Sequence, residues 1–108
     1  MKRILSYNVN GIRSAISKGL LTWLPTVDPD IICFQELKAL PSQVDIPLFE
    51  HLGYNCFINS AEKPVYSGVA TFCKQPPLNV INGIGIKKYD TEGRLIRIDF
   101  KDWTLINV

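Results

Sequence analysis

Asp30-Ile31-Ile32-Cys33-Phe34-Gln35-Glu36 is an apolar, partly β-branched run that closes on an amide and a carboxylate. A short apolar run with no polar alternation is expected of a strand buried on both faces, so residues 30–35 are read as a strand ending at Glu36. Upstream, Ile4, Leu5 and Tyr7 mark a first strand of the same kind. Between the two, Ile16, Leu20, Leu24 and Val27 recur at helical spacing, and Pro25, Asp28 and Pro29 break the periodicity. A strand, helix, strand unit makes the two strands parallel through a right-handed crossover and turns their carboxyl ends to one edge. Tyr7-Asn8-Val9-Asn10-Gly11-Ile12-Arg13 packs two amides, a glycine and an arginine into the turn after the first strand. Asn8 and Glu36 are therefore expected side by side. Oxygen-bearing side chains at one sheet edge suit a divalent cation, which takes hard oxygen ligands. Taken singly, Asn-x-Asn-Gly is a turn and a carboxylate after a strand is a surface group; their combination points to chemistry.

The rest of the chain alternates turns with short strands. Residues 45–52 are expected to form a short helix with Asp45 as cap and Gly53 as stop, and His51, the only histidine, falls inside it in a structural position. Strands are expected over 54–60, 69–74 and 78–81, with Gln75-Pro76-Pro77 interrupting the last two. Residues 95–100 and 103–108 are read as an antiparallel hairpin about Lys101-Asp102. The fold class is α/β (α+β), a mixed β-sheet with flanking helices in one domain over 1–108. Tyr66-Ser67-Gly68 and Glu92-Gly93-Arg94 are turn sequences. Gly68 lets the backbone approach a phosphate, and its amide can donate to the anion, while Glu92-Gly93 leads into the next strand.

Four segments in series, Ser6 to Arg13, Phe34-Gln35-Glu36-Leu37-Lys38, Tyr66-Ser67-Gly68-Val69-Ala70 and Glu92-Gly93-Arg94, resemble the successive motifs of the exonuclease III branch of the endonuclease–exonuclease–phosphatase superfamily. That branch comprises metal-dependent nucleases that incise DNA at abasic sites. The resemblance implies half of a four-layer α/β sandwich, with Glu36 as ligand of the essential cation and Asn8 helping to hold it. The cation would be magnesium, or manganese in its place. Asn10 stands where relatives often carry aspartate, and being neutral it is assigned a water-bridged part beside the metal. By similarity, Arg13, Tyr66, Ser67, Gly68 and Arg94 lie along a DNA-binding edge and grip phosphates. The family's activating aspartate, its phosphate-binding asparagine and tyrosine, and its catalytic histidine with a partner aspartate would all follow Val108. Trp103-Thr104-Leu105-Ile106-Asn107-Val108 begins a strand with no cap or linker behind it. The expectation is an amino-terminal half, inactive alone, whose second sheet is contributed by the other half of the molecule.

Composition fits a folded piece. Hydrophobic residues make up 46% and charged residues 20% of the 108, enough for one small core. Half a sandwich leaves a sheet face bare, to be covered by the missing carboxy-terminal half or by self-association. A net charge of +2 does not mark a nucleic-acid binder by itself. Lys87, Lys88 and Arg97 are read as solvated, and Trp23 and Trp103 as core or half-buried aromatics. Cys33, Cys56 and Cys73 lack metal or disulfide spacing and suggest a reducing compartment. With no apolar stretch long enough to cross a bilayer, the expected location is cytoplasmic. The expected partner is double-stranded DNA with abasic sites. Two alternatives stay open: a superfamily phosphoesterase acting on a phosphoinositide, a nucleotide or RNA, and a non-catalytic nucleic-acid-binding module that assembles with a partner half.

Overall fold

The computed structural model describes residues 2–63 and 65–108. In chain order the elements are β1 (Ile4–Asn8), α1 (Ile12–Ser17), α2 (Leu20–Val27), β2 (Ile31–Gln35), a 3-10 turn (Pro41–Gln43), α3 (Ile46–His51), β3 (Asn55–Asn59), β4 (Val69–Cys73), β5 (Asn79–Asn82), α4 (Lys87–Asp90), β6 (Ile96–Asp99) and β7 (Thr104–Asn107). A four-stranded sheet has the order β1-β2-β4-β3, and a three-stranded sheet the order β5-β6-β7. β1 and β2 are parallel, with Ile4 opposite Ile31 and Asn8 opposite Gln35. The β2–β4 and β3–β4 pairs are antiparallel, so the first sheet is mixed.

Period-two alternation in β2 explains its unbroken apolar sequence. Ile32 and Phe34 point to a core shared with the helices, where they meet Ile12, Leu24, Phe49 and Phe72. Ile31 and Cys33 point the other way, to a second core with Val69, Cys73, Ile96 and Ile98. β2 is thus buried on both faces, as is β4, whose five residues are all buried. Helices, first sheet and second sheet stack as three layers around two cores.

The second sheet corrects one expectation. It is not left to another part of the molecule: this chain supplies β5, β6 and β7. Gln75-Pro76-Pro77 separates β4 from β5. Proline cannot donate to a ladder, so the chain leaves the first sheet there and starts a new layer. Val80, Ile98 and Leu105 then face the shared core. On the opposite side Ile81, Arg97 and Ile106 lie in one row, with Ile106 57% exposed. The β6–β7 hairpin matches its expected antiparallel pairing, with Ile96 opposite Asn107. Trp103 stacks on Phe100 at 4.7 Å between ring centroids.

The crossover helix also differs in detail. One helix was expected, and two occur, parted at Gly19, whose φ of +102° no helical residue adopts. Pro25 lies inside α2 and does not end it. A proline in a helix costs about 3 kcal/mol, whereas burying Leu20 and Leu24 returns about 1.5–3 kcal/mol each. The helix stops instead at Asp28, in the left-handed region, whose amide donates to the Leu24 carbonyl at 2.8 Å. Asp45 precedes α3 as expected, but its side chain makes no capping bond. Lys87 and Lys88, read as solvated, are exposed on the single helical turn of α4.

A buried amide ties the sheets together. Asn107, 2% exposed, donates through Nδ2 to the carbonyls of Ala70 at 2.8 Å and Phe34 at 3.2 Å, and to Thr71 Oγ1 at 3.2 Å. Its Oδ1 accepts from Gln35 Nε2 at 2.9 Å. Among the described residues no buried side-chain polar atom lacks a partner. Asn107→Ala leaves several of these groups unpaired in a dry layer, and a loss of about 1–3 kcal/mol is expected. Urea denaturation should show this as a lower midpoint with an unchanged slope.

Candidate functional site

Three loops meet beyond the carboxyl ends of β1 and β2. The first follows β1 at Asn8, the second follows β2 at Glu36, and the third precedes β4 at Ser67-Gly68. Backbone bonds lace them: Gly11 N–H donates to Glu36 O at 2.8 Å, Ile12 N–H to Leu37 O at 3.0 Å, Leu37 N–H to Gly68 O at 3.0 Å and Lys38 N–H to Ser67 O at 2.8 Å. Asn10, Glu36, Lys38 and Ser67 all have φ between 46° and 53°. The left-handed region costs a non-glycine residue about 1–2 kcal/mol. Four such residues in facing loops persist because the lacing determines them, a pattern that gathers at functional sites.

Within this frame Asn8 Nδ2 donates to Glu36 Oε2, and Asn8 Oδ1 accepts from the Asn10 backbone N–H at 3.1 Å. Lys38 Nζ donates to Asn10 Oδ1 at 2.5 Å, and Arg13 donates to the Lys38 carbonyl at 3.2 Å. Asn8, Glu36, Ser67 and Arg94 line one groove of about 750 Å³, whose far wall is β7 with Leu105 and Asn107. Arg94 Nε donates to Glu92 at 2.9 Å, and its Nη2 to Tyr66 Oη at 2.9 Å. The Glu92 carboxylate, and after it the Tyr66 hydroxyl, hold the guanidinium above its ordinary pKa. Gly93 between them is required by packing: a Cβ there would lie 2.4 Å from the Ala61 nitrogen. Gly68 is buried under Leu37, with φ +92°.

The residues singled out from sequence are therefore distributed unevenly. Asn8, Glu36, Ser67 and Arg94 share the groove, and Tyr66 reaches it through Arg94. Arg13 and Asn10 stand to the side; Asn10 lines a neighbouring groove with Tyr7 and Trp23. Trp23 is 43% exposed there, edge-on to Tyr7 at 6.3 Å. His51, in the last turn of α3, does not line the groove. Two further residues take part without a signal in their types: Lys38 meets Asn10, and Gln35 spans from Ser6 to Asn107. Among the described residues no group of three or more His, Cys, Asp or Glu could close a metal cage. One carboxylate, with an amide beside it that offers its oxygen once the Asn8 side chain turns its Nδ2 away from Glu36, nonetheless fits a hard cation that keeps most of its waters, as magnesium does.

A model of the endonuclease/exonuclease/phosphatase family matches residues 5–108. The chain belongs to that family. An exodeoxyribonuclease of Bacillus subtilis (strain 168) is 42% identical over 107 residues, covering 98% of this chain and 41% of that family member. The DNA repair nuclease APEX1 of Danio rerio is 42% identical over 109 residues, covering 96% of this chain and 34% of its own length. An AP endonuclease from Archaeoglobus fulgidus superposes with a TM-score of 0.85 at 30% identity, over 100% of this chain and 40% of that structure. The chain thus spans between 34% and 41% of the length of these family members. Its mixed sheet with flanking helices is the fold of the family's AP endonucleases. Among the described residues no helix is long and apolar enough to cross a membrane.

Proposed function

We propose that residues 1–108 are the amino-terminal half of a metal-dependent DNA-repair phosphodiesterase, an abasic-site endonuclease with 3′-exonuclease activity. The observation that carries this is the Asn8–Glu36 contact at the head of a groove that Arg94 also lines. Glu36 and Asn8 would hold magnesium, or manganese, and Asn10 would act beside them. Such a cation neutralises charge developing on a phosphate oxygen. Arg94, steadied by Glu92 and Tyr66, offers a guanidinium to a backbone phosphate. Ser67 shapes the groove wall, Gly68 is buried behind it against Leu37, and Arg13 extends the positive edge beyond Lys38.

Hydrolysis also needs a group that deprotonates water and one that stabilises the leaving oxygen. Neither is found in this groove among the described residues, whose ionisable groups there are Glu36, Arg94 and the Cys33 thiol. The proposal therefore includes a carboxy-terminal portion that closes the side bounded by β1 and β7, and it makes the chain inactive by itself. Three free thiols support a reducing, cytoplasmic setting. Burial pushes Cys33 up to about 11, so this thiol is protonated at neutral pH.

The test is incision of a duplex bearing one abasic site, with magnesium, by the chain joined to the carboxy-terminal portion of a relative. Specific incision there, and none of a phosphoinositide or RNA, is expected; equal cleavage of all three contradicts the DNA assignment. In the same protein Arg94→Ala should weaken duplex binding for all sequences and lower the salt slope by about 1. An unchanged slope removes Arg94 from the phosphate contacts.

A further inference from the structure

Lys38 and Glu36 are two residues apart, oppositely charged, and form no ion pair. The ammonium is turned instead to Asn10 Oδ1 at 2.5 Å. Asn10 donates its backbone N–H to Asn8 Oδ1 at 3.1 Å, and Asn8 Nδ2 donates to Glu36 Oε2. Two neutral amides therefore stand between a cation and an anion that an unbranched lysine stem could otherwise bring together. The Lys38 backbone is held at both ends, its N–H by Ser67 O at 2.8 Å and its carbonyl by Arg13 at 3.2 Å, so only the side chain is free to choose a partner. Glu36 and Asn10 are exposed and Lys38 is half-buried, which leaves the exchange of partners sterically open.

We propose that Asn10 is a positioning residue that holds Lys38 off Glu36. The carboxylate, which accepts from the neutral Asn8 Nδ2, then meets no competing positive charge and can take a divalent cation, and the ammonium stays a separate positive charge available to a phosphate. This rests on the assignment of Glu36 as a cation ligand. It gives Asn10 a task different from ligation: it prevents an internal ion pair that would compete with the metal. A neutral amide suffices for that task.

The experiment is a manganese titration of the 108-residue chain, read by paramagnetic broadening of the backbone amides of residues 8 and 36. Amide dispersion reports that each variant is folded. Asn10→Ala should weaken manganese binding about 10-fold, within the range for loss of an outer partner. Asn10→Ala combined with Lys38→Met should return it to within about 2-fold of the parent, because the competing ammonium is gone. Asn10→Asp, which still binds Lys38 and adds a charge, should bind at least as tightly as the parent. A crystal structure of Asn10→Ala should place Lys38 Nζ within about 4 Å of the Glu36 carboxylate. If the double variant is as weak as Asn10→Ala, Asn10 contacts the cation or its waters and the proposal is overturned. Unweakened binding in Asn10→Ala, or Lys38 remaining away from Glu36 in its crystal structure, overturns it too. Should Glu36→Gln leave the broadening intact, the cation is held elsewhere, and the assignment of Glu36 fails along with the proposal built on it.

Discussion

Glu36→Gln, in the protein completed by a carboxy-terminal portion, is expected to lower the rate of abasic-site incision by more than 100-fold at ordinary magnesium, because loss of an outer partner alone costs roughly 10- to 100-fold. Glutamine preserves the size of the side chain and its acceptor for Asn8 Nδ2. What disappears is the negative charge, which supplies most of the attraction for a hard divalent ion. Excess magnesium should therefore recover part of the lost rate. Asn8→Ala is expected to act in the same direction and more mildly, since it removes a neutral oxygen and leaves the carboxylate in place. Steady-state incision over a magnesium series separates the two: the midpoint moves furthest for Glu36→Gln. A variant with parental rate and midpoint would remove Glu36 from the metal site.

Phe72→Ala is expected to have the largest effect on stability. Phe72 has no exposed surface, and its ring stands 4.7 Å from Phe49 and 5.4 Å from Phe34, centroid to centroid. These three rings join α3, β2 and β4 in one core. Truncating a buried phenylalanine costs about 3–5 kcal/mol, against a total stability of about 5–15 kcal/mol for a small domain. Most of the margin is therefore removed, and the variant should unfold at low urea with exchange-broadened amides. Leu78→Ala serves as the comparison. Leu78 is 73% exposed, and its replacement should stay within about 0.5 kcal/mol of the parent. Equal stability of the two variants would contradict the placement of the aromatic core.

Much of the molecule was legible because its signals are local. The apolar runs around Ile4 and Ile31, with a helical period between them, specify a parallel pair, and Asn8 falls opposite Gln35, next to Glu36. The split of the strands between two sheets was not legible. Val80, Ile96 and Ile98 alternate as they would in any half-buried strand, and which layer they join depends on partners far along the chain. Gly19 marked the break between α1 and α2, but glycine inside an apolar period is ambiguous until its positive φ is seen. The role of Lys38 was hidden for a different reason. Asn10 sits in a recognisable turn, but Glu36 and Lys38 adopt left-handed backbone conformations without being glycine or asparagine, so nothing in their residue types announces that the second loop turns to face the first. The Asn107 clasp was equally silent, because an asparagine near a strand end ordinarily faces water.

A crystal of the chain soaked in manganese offers the plainest trial of a shared cation at residues 8 and 36. An anomalous peak bonded to a Glu36 carboxylate oxygen, with Asn8 Oδ1 bonded directly or through one water, is the expected result. A peak elsewhere, or none while Asn8 and Glu36 keep their present contact, would contradict it.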